Sequence, residues 1–149
     1  MPLDWKIVID CADPHAQAGF WAAALGYEIE DNSPLVERLL GLGAVPEAIT
    51  TTAHGRKAWR DLAAARHPDD PFEQESGTGL GRRLLFQHVP ESKTVKNRLH
   101  LDVHAGPDRR DAEVARLEGL GAKVLRKVAE PSGTWTLMSD PEDNEFCVQ

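Results

Sequence analysis

At 149 residues, with 41% hydrophobic and 28% charged side chains, the chain has the make-up of one soluble globular domain. Its formal charge of -7 and pI near 5.3 repel phosphate backbones and anionic lipid, so neither a nucleic acid nor a membrane partner is expected. The N-terminus lacks a basic segment followed by an apolar core, no apolar run is long enough to span a bilayer, and the two cysteines show no CxxC spacing; a cytoplasmic protein with reduced thiols is expected.

In chain order, Ile7, Ile9 and Cys11 alternate with Lys6, Val8 and Asp10, the period of a strand with one face on a core. Asp13-Pro14 opens a helix with Ala16, Phe20, Trp21, Ala24 and Leu25 as its apolar stripe, Gly26 closes it, and Tyr27 to Glu30 is a second strand. Ser33-Pro34 predicts a short helix ending at Gly41 to Gly43. His54-Gly55, between Ile49–Ala53 and Arg56–Trp59, signals a hairpin. Leu62 to Arg66 continues as a strand, residues 67 to 81 read as an exposed acidic loop, and Arg83 to Gln87 is a closing strand. A basic connector then leads to a strand with Leu99, Leu101 and Val103 on its apolar face. Pro107 opens a helix with Ala112, Val114, Leu117 and Leu120 inward. Lys123–Leu125, Thr134–Met138 and Glu145–Gln149 supply three further strands, with a turn at 140 to 144.

The pattern is written twice. Lys6-Ile-Val-Ile-Asp10 and Arg98-Leu-His-Leu-Asp102 each lead to a helix closing at Leu-Gly, and each half ends in a short apolar strand. The chain therefore reads as one domain of two modules, 1–92 and 93–149, with residues 33 to about 80 inserted in the first. Phe20-Trp21 with Leu25-Gly26-Tyr27, the run from Leu84 to Asp102, and Met138-Ser-Asp-Pro-Glu-Asp-Asn-Glu-Phe146 are similar to the vicinal oxygen chelate superfamily of glyoxalases, bleomycin resistance proteins and extradiol dioxygenases, and within it to a glyoxalase-like branch of uncharacterised proteins. The last motif departs from the family pattern in carrying Asp143 where a glycine is usual, so the turn must hold an aspartate in the left-handed region. The resemblance implies an α+β fold: two tandem βαβββ modules whose mixed sheets curl into a cup, with helices outside and a small-molecule site within.

Strand parity assigns side chains to that cup. Ile7, Ile9, Leu99, Leu101, Val103, Phe146 and Val148 are expected under the helices. Lys6, Val8, Asp10, Leu85, Gln87, Arg98, His100, Asp102, Glu145 and Cys147 are expected inside. Metal-using members of the superfamily place His, Gln or Glu at one position on each first and last strand. By register those positions fall on Lys6, Leu85, Arg98 and Cys147, which do not make a divalent-metal site, so no metal and no cofactor is expected. A rearranged set of His100, Asp102 and Glu145 is the metal-competent alternative.

Lys6 and Arg98 are either anchors for an anionic ligand or partners of Asp10 and Asp102. His100 is the candidate catalytic acid or base, although two residues i and i+2 on a strand stand too far apart for Asp102 to hold its tautomer. Cys147 is either a thiol activated by nearby cations or an inert one. Trp59, Trp135 and Leu137 are either ligand wall or core. The leading expectation is a metal-free protein that captures a small anionic or aromatic molecule, as a homodimer. The alternatives are a lyase or isomerase using His100 and Arg98, a metal enzyme with a displaced site, and a protein-interaction module using the acidic stretch from Asp69 to Glu75.

Overall fold

In the computed structural model, which describes residues 1–149, Asp13 separates the first strand from the first helix. Its carboxylate accepts the backbone N–H groups of His15 and Ala16 at 3.1 and 3.0 Å, between β1 (Ile7–Cys11) and α1 (Pro14–Leu25). Gly26 closes α1 at φ +68, a left-handed position that favours glycine. Phe20 and Trp21 are buried from this helix.

The chain folds as two compact units, Met1–Glu91 and Ser92–Gln149. In the first, β2 (Glu28–Ile29), α2 (Ser33–Gly41), a single 3-10 turn (Glu47–Ile49), β3 (Thr50–Ala53), β4 (Arg56–Trp59), β5 (Leu62–Arg66) and β6 (Arg83–His88) follow α1. Its main sheet has the order β1-β6-β5-β2, with β1 parallel to β6 and the other neighbours antiparallel. In the second unit, β7 (Leu101–Val103), α3 (Arg110–Leu120), β8 (Lys123–Glu130), β9 (Gly133–Ser139) and β10 (Glu145–Val148) make a sheet of order β7-β10-β9-β8, with β7 parallel to β10. Both sheets thus place the first strand beside the last and run inward from the end of the unit. This is the α+β architecture that the resemblance implies.

In β1 and β6 burial follows strand parity, whereas Cys147 of β10 and Ala64 of β5 are buried along with their neighbours. Leu84, Phe86, Met138, Phe146 and Val148 are buried, while Val8, Asp10 and Gln87 are exposed on the opposite face of their sheet. Asp143 adopts φ +66, and the turn is tied by Asp140 Oδ1, which accepts the N–H groups of Glu142 and Asn144 at 2.8 and 3.0 Å. Asp in place of glycine is accommodated as the sequence required.

Four expectations are corrected. β5 lies inside the stretch expected to be an insertion, yet it pairs with β6 and β2 as the third strand of the sheet, so the added chain forms two pieces on either side of it. Residues 67 to 81 are not simply an exposed loop. Gly77 and Gly79 are buried, Phe72 bridges Gly79, and Glu73 and Thr78 are bonded through their main chains. α3 starts at Arg110 rather than Pro107, because residues after Gly106 form a turn whose carbonyl accepts the N–H groups of Arg109 and Arg110; Ala112 and Leu120 are exposed, leaving Val114 and Leu117 as its buried residues. Finally, Leu99 is 87% exposed and lies outside the strand, which begins at Leu101. Just before it, Asn97 is held to the 140s turn by Asn144 and Glu145, which draws the chain away from an extended continuation of β7.

Candidate functional site

Cross-strand register decides which side chains share a face. Cys147 on β10 stands opposite Asp102 on β7 and Leu137 on β9, and Trp135 follows at the same parity on β9, opposite Val128. Leu101, Val103, Thr136, Met138, Phe146 and Val148 take the other face, where Val114 and Leu117 of α3 are buried with them. Trp135 and Leu137 therefore lie on the same face as Asp102 and Cys147.

His100 joins this face from outside the strand. Because it precedes β7, the i, i+2 spacing of a strand does not apply, and its Nε2 comes to 3.4 Å from Asp102 Oδ1. The other oxygen of Asp102 accepts the side-chain amide of Gln149 at 3.1 Å. One ligating atom each from His100, Asp102 and Cys147 lies within 4.8 Å of the others. His100 and Asp102 are exposed, whereas Cys147 is buried. Burial pushes the Cys147 thiol above its ordinary value; the charge and hydrogen bond of Asp102 push it further, and Lys96 only partly opposes them. An activated thiolate is thus the opposite of what this environment favours.

Glu145 shares the face but not the cluster. Lys93 Nζ donates to its Oε1 at 3.0 Å and the backbone N–H of Asn97 to its Oε2 at 3.1 Å. Burial pushes its carboxyl up, but the Lys93 hydrogen bond, the backbone donors and the Lys93 charge outweigh that and hold it below the usual glutamate value. Cys147 consequently takes the place that Glu145 was assigned in the alternative ligand set. Arg98 is exposed ahead of β7 and does not reach Asp102, whose partners are His100, Gln149 and the Cys147 thiol.

In the first unit, Asp10 and Gln87 stand opposite one another on the open face of the sheet, with Val8 opposite Leu85, and Lys6 just precedes β1. Trp59 does not join them. It belongs to the separate β3-β4 ribbon, and its carbonyl accepts His15 Nε2 of α1 at 2.7 Å, so the added hairpin lies against the helix rather than over the open face of the sheet. Sequence reasoning missed Gln149, although its parity with Cys147 could have found it. It also missed Lys93, Lys96 and Asn97, which sit in a connector without periodicity.

A nitrogen, an oxygen and a sulfur donor form a three-residue set of the kind that holds zinc with one position open. Donors of a tetrahedral zinc lie about 3.3–3.8 Å apart for bonds of about 2.0–2.3 Å. The 3.4 Å separation of His100 and Asp102 already meets this, and the 4.8 Å limit of the cluster needs only small side-chain rotations to do so. The residues present fit such an ion, provided that Cys147 gives up its proton on binding.

A family model described as a glyoxalase-like domain matches residues 6–149. The chain belongs to this glyoxalase-like family. No curated protein matches it. Among solved structures, the glyoxalase-like chain is similar to hypothetical protein SA1046 from S. aureus, with 11% identity over 99% of this chain and 93% of that one and a TM-score of 0.61. It is similar to the fosfomycin resistance protein FosX from Listeria monocytogenes, crystallised as a mutant with Mn(II) and 1S,2S-dihydroxypropylphosphonic acid, with 11% identity, 100% and 90% coverage and a TM-score of 0.59. It is also similar to the bleomycin-binding protein of Streptomyces verticillus in complex with copper(II)-bleomycin, with 16% identity, 100% and 96% coverage and a TM-score of 0.53. At these identities the likeness establishes the glyoxalase-like fold.

Proposed function

We propose that this glyoxalase-like protein captures a small organic molecule on the open face of its second sheet, as a single-domain cytoplasmic homodimer with no resident metal. The observation that carries the reading is the convergence of Trp135 and Leu137 with His100, Asp102 and Cys147 on one face, an apolar wall beside a short polar edge. The flat part of a ligand packs on Trp135 and Leu137. A donor or acceptor on it meets Asp102 or His100, and Gln149 fixes the carboxylate. That the bleomycin-binding protein of similar fold holds copper(II)-bleomycin is consistent with binding as a function in itself. No helix is long and apolar enough to cross a membrane. The test is a thermal-shift screen of small aromatic and anionic compounds against the full chain. A hit that Leu137→Asp abolishes, and that the protein returns unchanged, supports the reading; hits that survive Leu137→Asp and Asp102→Ala together overturn it.

The His100, Asp102 and Cys147 cluster favours a second reading, that of a metal-dependent enzyme. In it the three side chains hold zinc or a similar divalent ion, which when bound supplies Lewis-acid polarisation of a substrate oxygen. Cys147 must be deprotonated to serve as a ligand, against the direction in which burial and Asp102 push its thiol. Elemental analysis of untagged protein purified without chelators decides between the readings. One equivalent of metal, lost in His100→Ala and Cys147→Ala, replaces the first reading with the second.

A further inference from the structure

The added pieces of the first unit build a cleft of about 720 Å³ at the β2 margin of the sheet, lined by α1 on one side and on the other by Glu28 and Arg66, which share the parity of Leu85 and Gln87. Its floor is the small-residue side of α1, with Gly19, Ala22 and Ala23, and its walls carry the rings of Tyr27 and Phe72 and the guanidinium groups of Arg56 and Arg66. The segments that carry these lining residues are held by polar bonds next to the cleft. Glu30 binds Arg83 through two contacts of 2.7 and 2.8 Å and also accepts the N–H of Gly79 at 2.7 Å. Asn32 Nδ2 donates to the carbonyl of Ser76 at 2.7 Å. At Gly77, φ is +74 and a Cβ would run into the carbonyl oxygen of Asp31, so the loop backbone is pressed against the chain that follows β2. Chain that served only as padding would fill this space with apolar side chains; here it frames the space and keeps it open.

The charges inside point to one ligand chemistry. Glu28 Oε2 accepts Arg66 Nη2 at 2.7 Å, and Asp31 Oδ1 lies 3.4 Å from Arg56 Nε, whose Nη2 donates to the carbonyl of Ile29 at 3.0 Å. Both carboxylates thus have a cationic partner. Arg66 Nη1 is buried with no acceptor, beneath Phe72, whose ring centre is 4.0 Å from the guanidinium carbon. The unsatisfied group on the wall is a donor, so what completes the cleft must bring an acceptor.

We propose that this cleft is a second binding site, separate from the face carrying Cys147, and that it takes a small flat aryl carboxylate. The ring lies between the floor at Ala22 and Ala23 and the Tyr27 ring, beside the His54 imidazole that covers Gly19, and a turn of the Phe72 side chain opens Arg66 Nη1 to the carboxylate. With Nη2 held by Glu28, the carboxylate meets the guanidinium through Nη1, in a charge-assisted hydrogen bond.

Tyr27 is the only tyrosine in the chain, which gives the cleft its own reporter. The experiment is an NMR titration of full-length protein labelled on the tyrosine ring with sodium benzoate, using benzylamine and acetate as charge and shape controls. The expected result is a saturable shift of the Tyr27 ring with benzoate at millimolar concentration, with affinity at least about tenfold weaker for both controls. Arg66→Gln should weaken benzoate about tenfold or more. Ala23→Trp, which fills the cleft from an exposed helix position, should abolish the shift even if the arginine variant fails to fold. Leu137→Asp should leave it intact. No saturable shift, equal affinity for benzylamine, retention of binding in Ala23→Trp, or loss in Leu137→Asp would each overturn the proposal.

Discussion

Replacing Glu30 by alanine tests whether the first unit depends on one buried ion pair. The side chains of Glu30 and Arg83 are only 2% and 8% exposed and bond through two contacts. Removing the carboxylate leaves the guanidinium charged, buried and unpaired, a change that costs about 3–5 kcal/mol in comparable sites. The N–H of Gly79 loses its acceptor as well, so the upper part of that range is expected. For a chain of this length each kcal/mol lowers Tm by about 2–4 °C, which places the loss at roughly 10–20 °C. Urea denaturation followed by circular dichroism, with wild type and variant at the same pH, measures it directly. The double variant Glu30→Met with Arg83→Met should regain most of the loss, since apolar groups of similar size often replace a buried pair at little cost. A Glu30→Ala penalty below about 1 kcal/mol, or a double variant no better than the single one, would show that the pair is solvated and that the reasoning fails.

Gly77→Ala should destabilise the protein by several kcal/mol, because the new Cβ meets the Asp31 carbonyl and φ stays in the left-handed region; a melting curve matching wild type would refute the close approach. Cys147 should react slowly with iodoacetamide at neutral pH, because burial and Asp102 keep its thiol protonated; Asp102→Asn should speed it and shift the rate-against-pH profile to lower pH, with Cys147→Ser identifying the reacting residue. Its raised value favours the folded state below the ordinary thiol value, and that contribution is lost as pH rises through the folded one. Glu145 works in the opposite sense: its lowered value contributes stability above the ordinary glutamate value that is lost as pH falls through the folded one. Glu145→Gln should therefore flatten the acid limb of a stability-against-pH curve, and an unchanged limb would count against the Lys93 contact.

Where a residue sat in a regular strand, its partners were legible in the sequence. The alternation of Ile7 with Val8 and of Phe146 with Cys147 predicted their faces, and the doubled strand predicted two modules. Trp135 and Leu137 needed the register of β9 against β10, which the alternation within one strand does not contain. His100 escaped because the strand starts one residue later, so its side chain is not bound to the spacing that appeared to separate it from Asp102. Trp59 escaped for a different reason: a hairpin signal predicts a turn but not what the ribbon packs on, and His15 of α1 supplies that contact across 44 positions of chain. The cleft at Tyr27 arises from side-chain to main-chain bonds between distant loops, for which the sequence carries no periodic sign.

The outermost strand is where the two halves of the chain have parted. In the first unit it is the two-residue β2, next to the added chain; in the second it is the eight-residue β8, followed directly by a tight turn. In both, the parallel pair formed by the first and last strands stands at the opposite end of the sheet. The extra chain of the first unit thus flanks β5, while the parallel pair keeps the same place in each sheet. Such a division lets one margin of a sheet acquire new chain while selection holds the other in register, so that a protein of this build can gain a second cleft without surrendering the geometry of the first.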